Sequence, residues 1–126
     1  GALKIKEISY VHAEGYAAGE MKHGPIAIIY KGMPLLAVAT SGRTLELMAG
    51  NVAEAKARGA DVVAIVDAAS RKTVKANRYI TLPETGELLT PMLTVIPLQL
   101  FAYYVALAKK CDIDKPRNLA KSVTVR

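Results

Sequence analysis

Two short apolar runs separated by an amphipathic stretch constrain this chain more than any other feature. Leu35 to Ala39 and Val62 to Val66 contain no polar residue, which is the pattern of strands covered on both faces. Between them, Leu45 to Arg58 alternates apolar and polar residues at helical spacing, and Gly59 supplies its C-terminal stop. Strand, helix, strand in that order predicts a parallel sheet with right-handed crossovers. The fold class expected is therefore α/β, a parallel sheet flanked by helices.

The flanking segments extend this frame. Leu3 to about Glu20 reads as a helix, because Lys4, Ile8, Val11, Gly15 and Ala18 share one stripe. Its small residues suggest close approach to another backbone. His23-Gly24-Pro25 ends that element, and Ile26 to Tyr30 reads as a short strand. Lys31 to Pro34 is a turn, Ala68 to Asn77 a polar connection, and Arg78 to Leu82 a further strand nearer an edge.

Leu88 to Ala108 carries no charged residue and is long enough to span a bilayer. It also holds Pro91, Pro97, Gln99, Thr90 and Thr94, and nothing else resembles a second span. A long buried helix, or a pair bent at Pro97, is the reading adopted, without a membrane. A charged tail, Asp112 to Arg126, closes the sequence. Gly1 opens straight into helical sequence without an initiator Met, which reads as a cut end.

Composition enters at three points. With 52% apolar and 22% charged residues, the 126-residue chain can build one core and is not expected to be disordered. A formal charge of +6 favours anionic partners without choosing among phosphate esters, nucleic acid and membrane. The single cysteine, Cys111, excludes an intrachain disulfide and suits a reducing cytosol.

Short motifs leave alternatives open. Thr40 to Thr44 joins a strand to a helix and could hold a phosphate on its backbone amides, but it lacks the P-loop and dinucleotide patterns and equally reads as a cap and turn. His12-Ala13-Glu14 and Glu20 to His23 each begin a metal-binding spacing without completing it, so no metal is expected. Lys4 and Glu7 lie on one side of the first helix, as a structural ion pair or as the acid and base of a proton-transfer site. His23 sits in a turn, as bystander or proton carrier. Lys121 would be a nucleophile only if burial or a nearby cation kept its amine neutral.

Two longer motifs narrow these choices. Gly1 to Tyr10, with His12-Ala13-Glu14 and Gly19 to Pro25, resembles the isomerase part of the glutamine–fructose-6-phosphate aminotransferases, also called glucosamine-6-phosphate synthases. Asp114 to Val125 is similar to that family's C-terminal end, and Pro97 to Leu107 to its long helix.

The resemblance implies a sugar isomerase (SIS) fold, incomplete at its N-terminus. Residues 1–111 would be the later part of the second SIS domain, and residues 112–126 a tail closing over the active site. It implies glucosamine 6-phosphate made from fructose 6-phosphate and glutamine. Lys121 would form a Schiff base with the sugar ketone, Glu7 would move a proton between C1 and C2, and Lys4 would stabilise the developing enolamine. His23 would serve ring opening, reaching the site of a neighbouring subunit. No cofactor, metal, nucleic acid or membrane is implied. The expected partners are the two sugar phosphates, a glutaminase domain and a first SIS domain outside this chain, and a second copy in a cytoplasmic homodimer. The fragment alone is expected to be inactive. A non-catalytic SIS module that binds a phosphosugar or holds a dimer is the alternative. Arg126 stands where the family usually ends in an acid.

Overall fold

The computed structural model describes residues 1–117, arranged as two compact units: residues 1–15 with the described residues from 95 onward, and residues 16–94. The second unit holds the sheet. Strands β1 (Pro34–Val38), β2 (Asp61–Asp67) and β3 (Arg78–Leu82) pair in parallel in that order. Leu36 sits opposite Val63, and Ile65 opposite Ile80. The two apolar runs read from the sequence are thus β1 and β2, and the further strand expected at Arg78 to Leu82 is β3, at an edge.

β1 and β2 are joined by helix α2 (Leu45–Ala57). Val52 and Ala55 of α2 are buried with Ala37, Val62, Ala64 and Val66 of the sheet in one apolar core. Gly59 ends the helix with φ +93°, and a Cβ there would lie 2.9 Å from the Lys31 Cα. Only glycine fits this stop, because both the backbone angle and the space exclude a side chain. The turn from β2 to β3 carries one helical turn, α3 (Ser70–Thr73), within the expected polar connection. Asn77 holds it to the sheet, its side-chain oxygen accepting the Val62 amide at 3.0 Å.

Two expectations fail. The first helix, α1 (Ala2–Ser9), does not continue to Glu20. Ser9 turns its hydroxyl back onto the Ile5 carbonyl at 2.6 Å, and Tyr10 follows in the left-handed conformation at φ 57°. Gly15 and Gly19 would each weaken any continuation by about 1 kcal/mol. Ile26 to Tyr30 is likewise not a strand. Pro25 starts a 3₁₀ helix, Pro25–Ile28, after another at Ala18–His23. Proline's fixed φ suits that first helical position, and Met21, Ile26 and Ile29 still deliver their side chains to the core.

Helix α4 (Thr90–Ala108) is continuous, with Pro97 inside it. Of the two readings offered for this segment, the single helix is observed. It is buried along one side only: Ala102 and Ala106 are fully covered, while Ile96, Leu100, Tyr104 and Leu107 are at least half exposed. The expected burial thus holds for the small residues and not for the large ones. By length and composition, α4 with the turn before it could also cross a membrane. Within the first unit, α1 begins against α4, since a Cβ on Gly1 would lie 3.0 Å from a Leu98 methyl.

Candidate functional site

α1 carries the first pair of candidate residues. Lys4 and Glu7 are one turn apart, and the Lys4 ammonium donates to a Glu7 carboxylate oxygen at 2.6 Å. Lys4 is about half exposed and Glu7 largely covered, with 22% of its side chain accessible. The arrangement places a fixed positive charge against a carboxylate that solvent and a small substrate can still reach. That combination can take a proton from carbon and stabilise the negative charge that follows.

His23 belongs to the second unit, at the end of the 3₁₀ helix Ala18–His23. Its Nδ1 lies 2.9 Å from a Glu20 carboxylate oxygen, and its ring is 72% exposed. An imidazole held on one nitrogen by a carboxylate leaves its Nε2 available to exchange a proton. His12 and Glu14 form an exposed pair at 3.6 Å. Among the described residues, no three side chains of metal-binding type come together. Lys121, with the tail from residue 118 onward, lies outside the described residues.

The loop at the C-terminal end of β1 has a different construction. Thr40, Ser41, Gly42 and Thr44 line an open depression of about 230 Å³, with Glu87 and Thr90 on its other side. Ser41 donates both its amide, at 2.6 Å, and its hydroxyl, at 2.7 Å, to the Asp67 carboxylate. The Ser70 amide donates to the same carboxylate at 2.8 Å. Burial by itself would raise the Asp67 pKa, but the hydrogen bonds from Ser70 and Ser41 outweigh it and hold it at about 2. Asp67 therefore ties the β1–α2 loop to the β2–α3 turn as a permanent anion. Facing the loop, the Glu87 carboxylate lies 3.9 Å from Arg43. Its charge is the wrong sign for a phosphate, and the Ser41 amide is already committed; the segment forms a turn, the Leu45 amide donating to the Gly42 carbonyl at 3.2 Å, while Thr44 at the helix start makes no side-chain capping bond.

In the sequence, Asp67 is only the residue that follows the apolar run Val62 to Val66. An acid directly after five apolar residues, with serines at 41 and 70, is the signal that could have found it.

A family model for the SIS domain matches residues 1–109. The chain belongs to the SIS domain family. It is 57% identical to a glutamine–fructose-6-phosphate aminotransferase (isomerizing) of Methanosarcina acetivorans, over 99% of this chain and 20% of that protein. The corresponding enzyme of Thermococcus kodakarensis is 51% identical, over 99% of this chain and 21% of that one. The chain thus spans about a fifth of the length of the curated relatives it matches. Among solved structures, the C-terminal domain of a glucosamine-fructose-6-phosphate aminotransferase from Francisella tularensis superposes with a TM-score of 0.86 at 40% identity, covering 90% of this chain and 32% of that one. A glucosamine-6-phosphate deaminase from Thermotoga maritima follows with a TM-score of 0.72 at 28% identity, over 97% of this SIS chain and 34% of its own length. The parallel sheet between helices is the topology of these SIS structures.

Proposed function

We propose that this SIS chain is the isomerising part of a longer cytoplasmic enzyme that makes glucosamine 6-phosphate from fructose 6-phosphate and glutamine-derived ammonia. The observation that carries the reading is the Lys4–Glu7 contact of 2.6 Å on α1, in a chain more than half identical to such an aminotransferase over nearly its whole length.

The chemistry runs in balanced steps. The Lys121 amine adds to the C2 ketone of the open-chain sugar and water leaves, giving an imine. Ammonia displaces the lysine, and the sugar keeps a C2 imine. Glu7 removes a proton from C1, and the electron pair moves to give an enolamine with nitrogen still on C2. The same carboxyl returns the proton to C2, and the C1 hydroxyl gives up its proton in balance with the one taken up by nitrogen, leaving an aldehyde at C1 and an amine at C2. One carboxylate near both carbons suffices, because the proton moves between neighbours. The Lys4 charge offsets the negative charge that develops on the enolamine. His23 would assist ring opening in the site of a partner subunit of a homodimer, and the tail, residues 112–126, would close over the sugar and exclude water. The reading calls for no cofactor, metal, nucleic acid or membrane.

A second reading, an enzyme acting on glucosamine 6-phosphate without a glutaminase, has the deaminase likeness in its favour. The identity to that protein, 28%, is about half the identity to the aminotransferases.

Reduction with borohydride in the presence of fructose 6-phosphate tests the proposal. In the full-length protein, a stable sugar adduct is expected on Lys121, read by peptide mass. An adduct on another residue, or none, overturns the lysine chemistry.

A further inference from the structure

Glu20 and His23 share one face of the 3₁₀ helix Ala18–His23, and the two residues between them hold that helix down. Met21 is buried in the core of the second unit, and the Lys22 ammonium lies 2.6 Å from a Glu54 carboxylate oxygen on α2. Both members of the Glu20–His23 pair stay mostly exposed. Three residues per turn make side chains at i and i+3 eclipse in a 3₁₀ helix, whereas an α-helix would set them about 60° apart. Gly24 closes the helix at φ +145°, an angle that favours glycine, and Pro25 starts the next one.

The pairing decides where the ring carries its proton. An ionised carboxylate only accepts hydrogen bonds. The 2.9 Å contact between His23 Nδ1 and the Glu20 oxygen therefore requires the hydrogen on Nδ1. In the neutral ring Nε2 then holds a lone pair, on the edge that Glu20 does not cover.

We infer that Glu20 is a positioning residue: it fixes His23 in the tautomer whose Nε2 accepts a proton, and so makes this histidine the base of sugar ring opening. In the furanose form of fructose 6-phosphate, Nε2 takes the proton of the C2 hydroxyl. The bond from C2 to the ring oxygen breaks as the C2 carbonyl forms, and the ring oxygen takes the proton back from the imidazolium. One nitrogen serves both ends, and no proton is gained or lost overall. The Glu20 carboxylate offsets the imidazolium charge while it lasts. The other tautomer has no lone pair on Nε2 and could not begin the step. The ring-opening role rests on the proposed aminotransferase reading; the tautomer itself does not.

Two measurements on the full-length protein separate them. The first is carbethoxylation of His23 by diethyl pyrocarbonate at about pH 8, read by peptide mass, since the reagent attacks a ring nitrogen with a free lone pair. Glu20→Ala lets the proton sit on either nitrogen, so His23 should react about threefold more slowly even though its ring is less crowded. Glu20→Gln, which keeps an acceptor oxygen, should fall between. Equal or faster reaction in Glu20→Ala overturns the tautomer assignment. The second is kcat/KM for fructose 6-phosphate and for 5-deoxyfructose 6-phosphate, which lacks the hydroxyl that closes the furanose ring. Glu20→Ala should lower kcat/KM about tenfold for the first and less than about twofold for the second. Its melting temperature should be unchanged, because an exposed pair adds little stability. Equal losses on the two sugars, or no loss on either, overturn the ring-opening role. Slower carbethoxylation in Glu20→Ala with no amino sugar formed by any of the three proteins leaves the tautomer standing and removes the aminotransferase reading instead.

Discussion

Glu7 and Asp67 are carboxylates at the ends of regular elements, yet α1 and the C-terminal edge of the sheet treat them in opposite ways. Glu7 keeps 22% of its side chain accessible and has one partner, Lys4, on one oxygen. Asp67 is 6% exposed and accepts three hydrogen bonds over both oxygens. A carboxylate that must take up and return a proton needs an uncommitted lone pair and a route for substrate. A carboxylate that fixes two loops needs every lone pair filled. The difference divides the chain into a part where chemistry can occur and a part that holds shape.

The largest expected effect breaks this division at Glu7. Glu7→Gln should lower isomerisation by at least about 100-fold, because the amide cannot carry the proton. Glutamine hydrolysis should be unchanged and the melting temperature nearly so, since a solvent-accessible pair of this kind contributes about 1 kcal/mol or less. Comparing sugar product with glutamate released checks it, and retained isomerisation would move the base elsewhere. The converse substitution, Asp67→Ala, should cost about 2–3 kcal/mol in urea unfolding, because the fully buried Ser70 loses the acceptor of its amide. A loss below about 0.5 kcal/mol would mean that Asp67 does not hold the two loops.

Strands β1 and β2 were legible because burial leaves a simple trace, an unbroken apolar run, which the edge strand β3 lacks. All three strands lie within a residue of the segments read as strands. Helix α1 was over-extended because apolar periodicity reports which face a helix would bury, not where the backbone turns; Tyr10 stops it by a left-handed angle that few non-glycine residues adopt. Ile26 to Tyr30 misled for a related reason. Its apolar residues do reach the core, but Pro25 presets a 3₁₀ turn rather than an extended one. In the site, Lys4 and Glu7 could be paired from helical spacing alone, whereas the roles proposed for them rest on the resemblance of whole motifs. Asp67 was invisible as a site because its main partner, Ser41, stands 26 residues away and meets it only through parallel pairing of β1 with β2.

The smallest expected effect sharpens the same contrast by pH. Asp67 in the folded chain has its pKa lowered to about 2, from the ordinary 3.8. Between those values the unfolded chain binds a proton that the folded chain does not. Stability from this carboxylate is therefore complete above about pH 4 and is lost as pH falls toward 2. The loss should be roughly 1–2 kcal/mol, somewhat less than the full shift implies because solvent lies close to the loop. Asp67→Asn removes the titration while keeping the size of the side chain. Urea midpoints at pH 5 and pH 2.5 should therefore fall further apart in the unsubstituted protein than in Asp67→Asn. Equal pH dependence in the two would show that the hydrogen bonds from Ser41 and Ser70 do not discriminate between the charged and neutral acid. In that case Asp67 would hold the loops by shape, and its contrast with Glu7 would be one of burial alone.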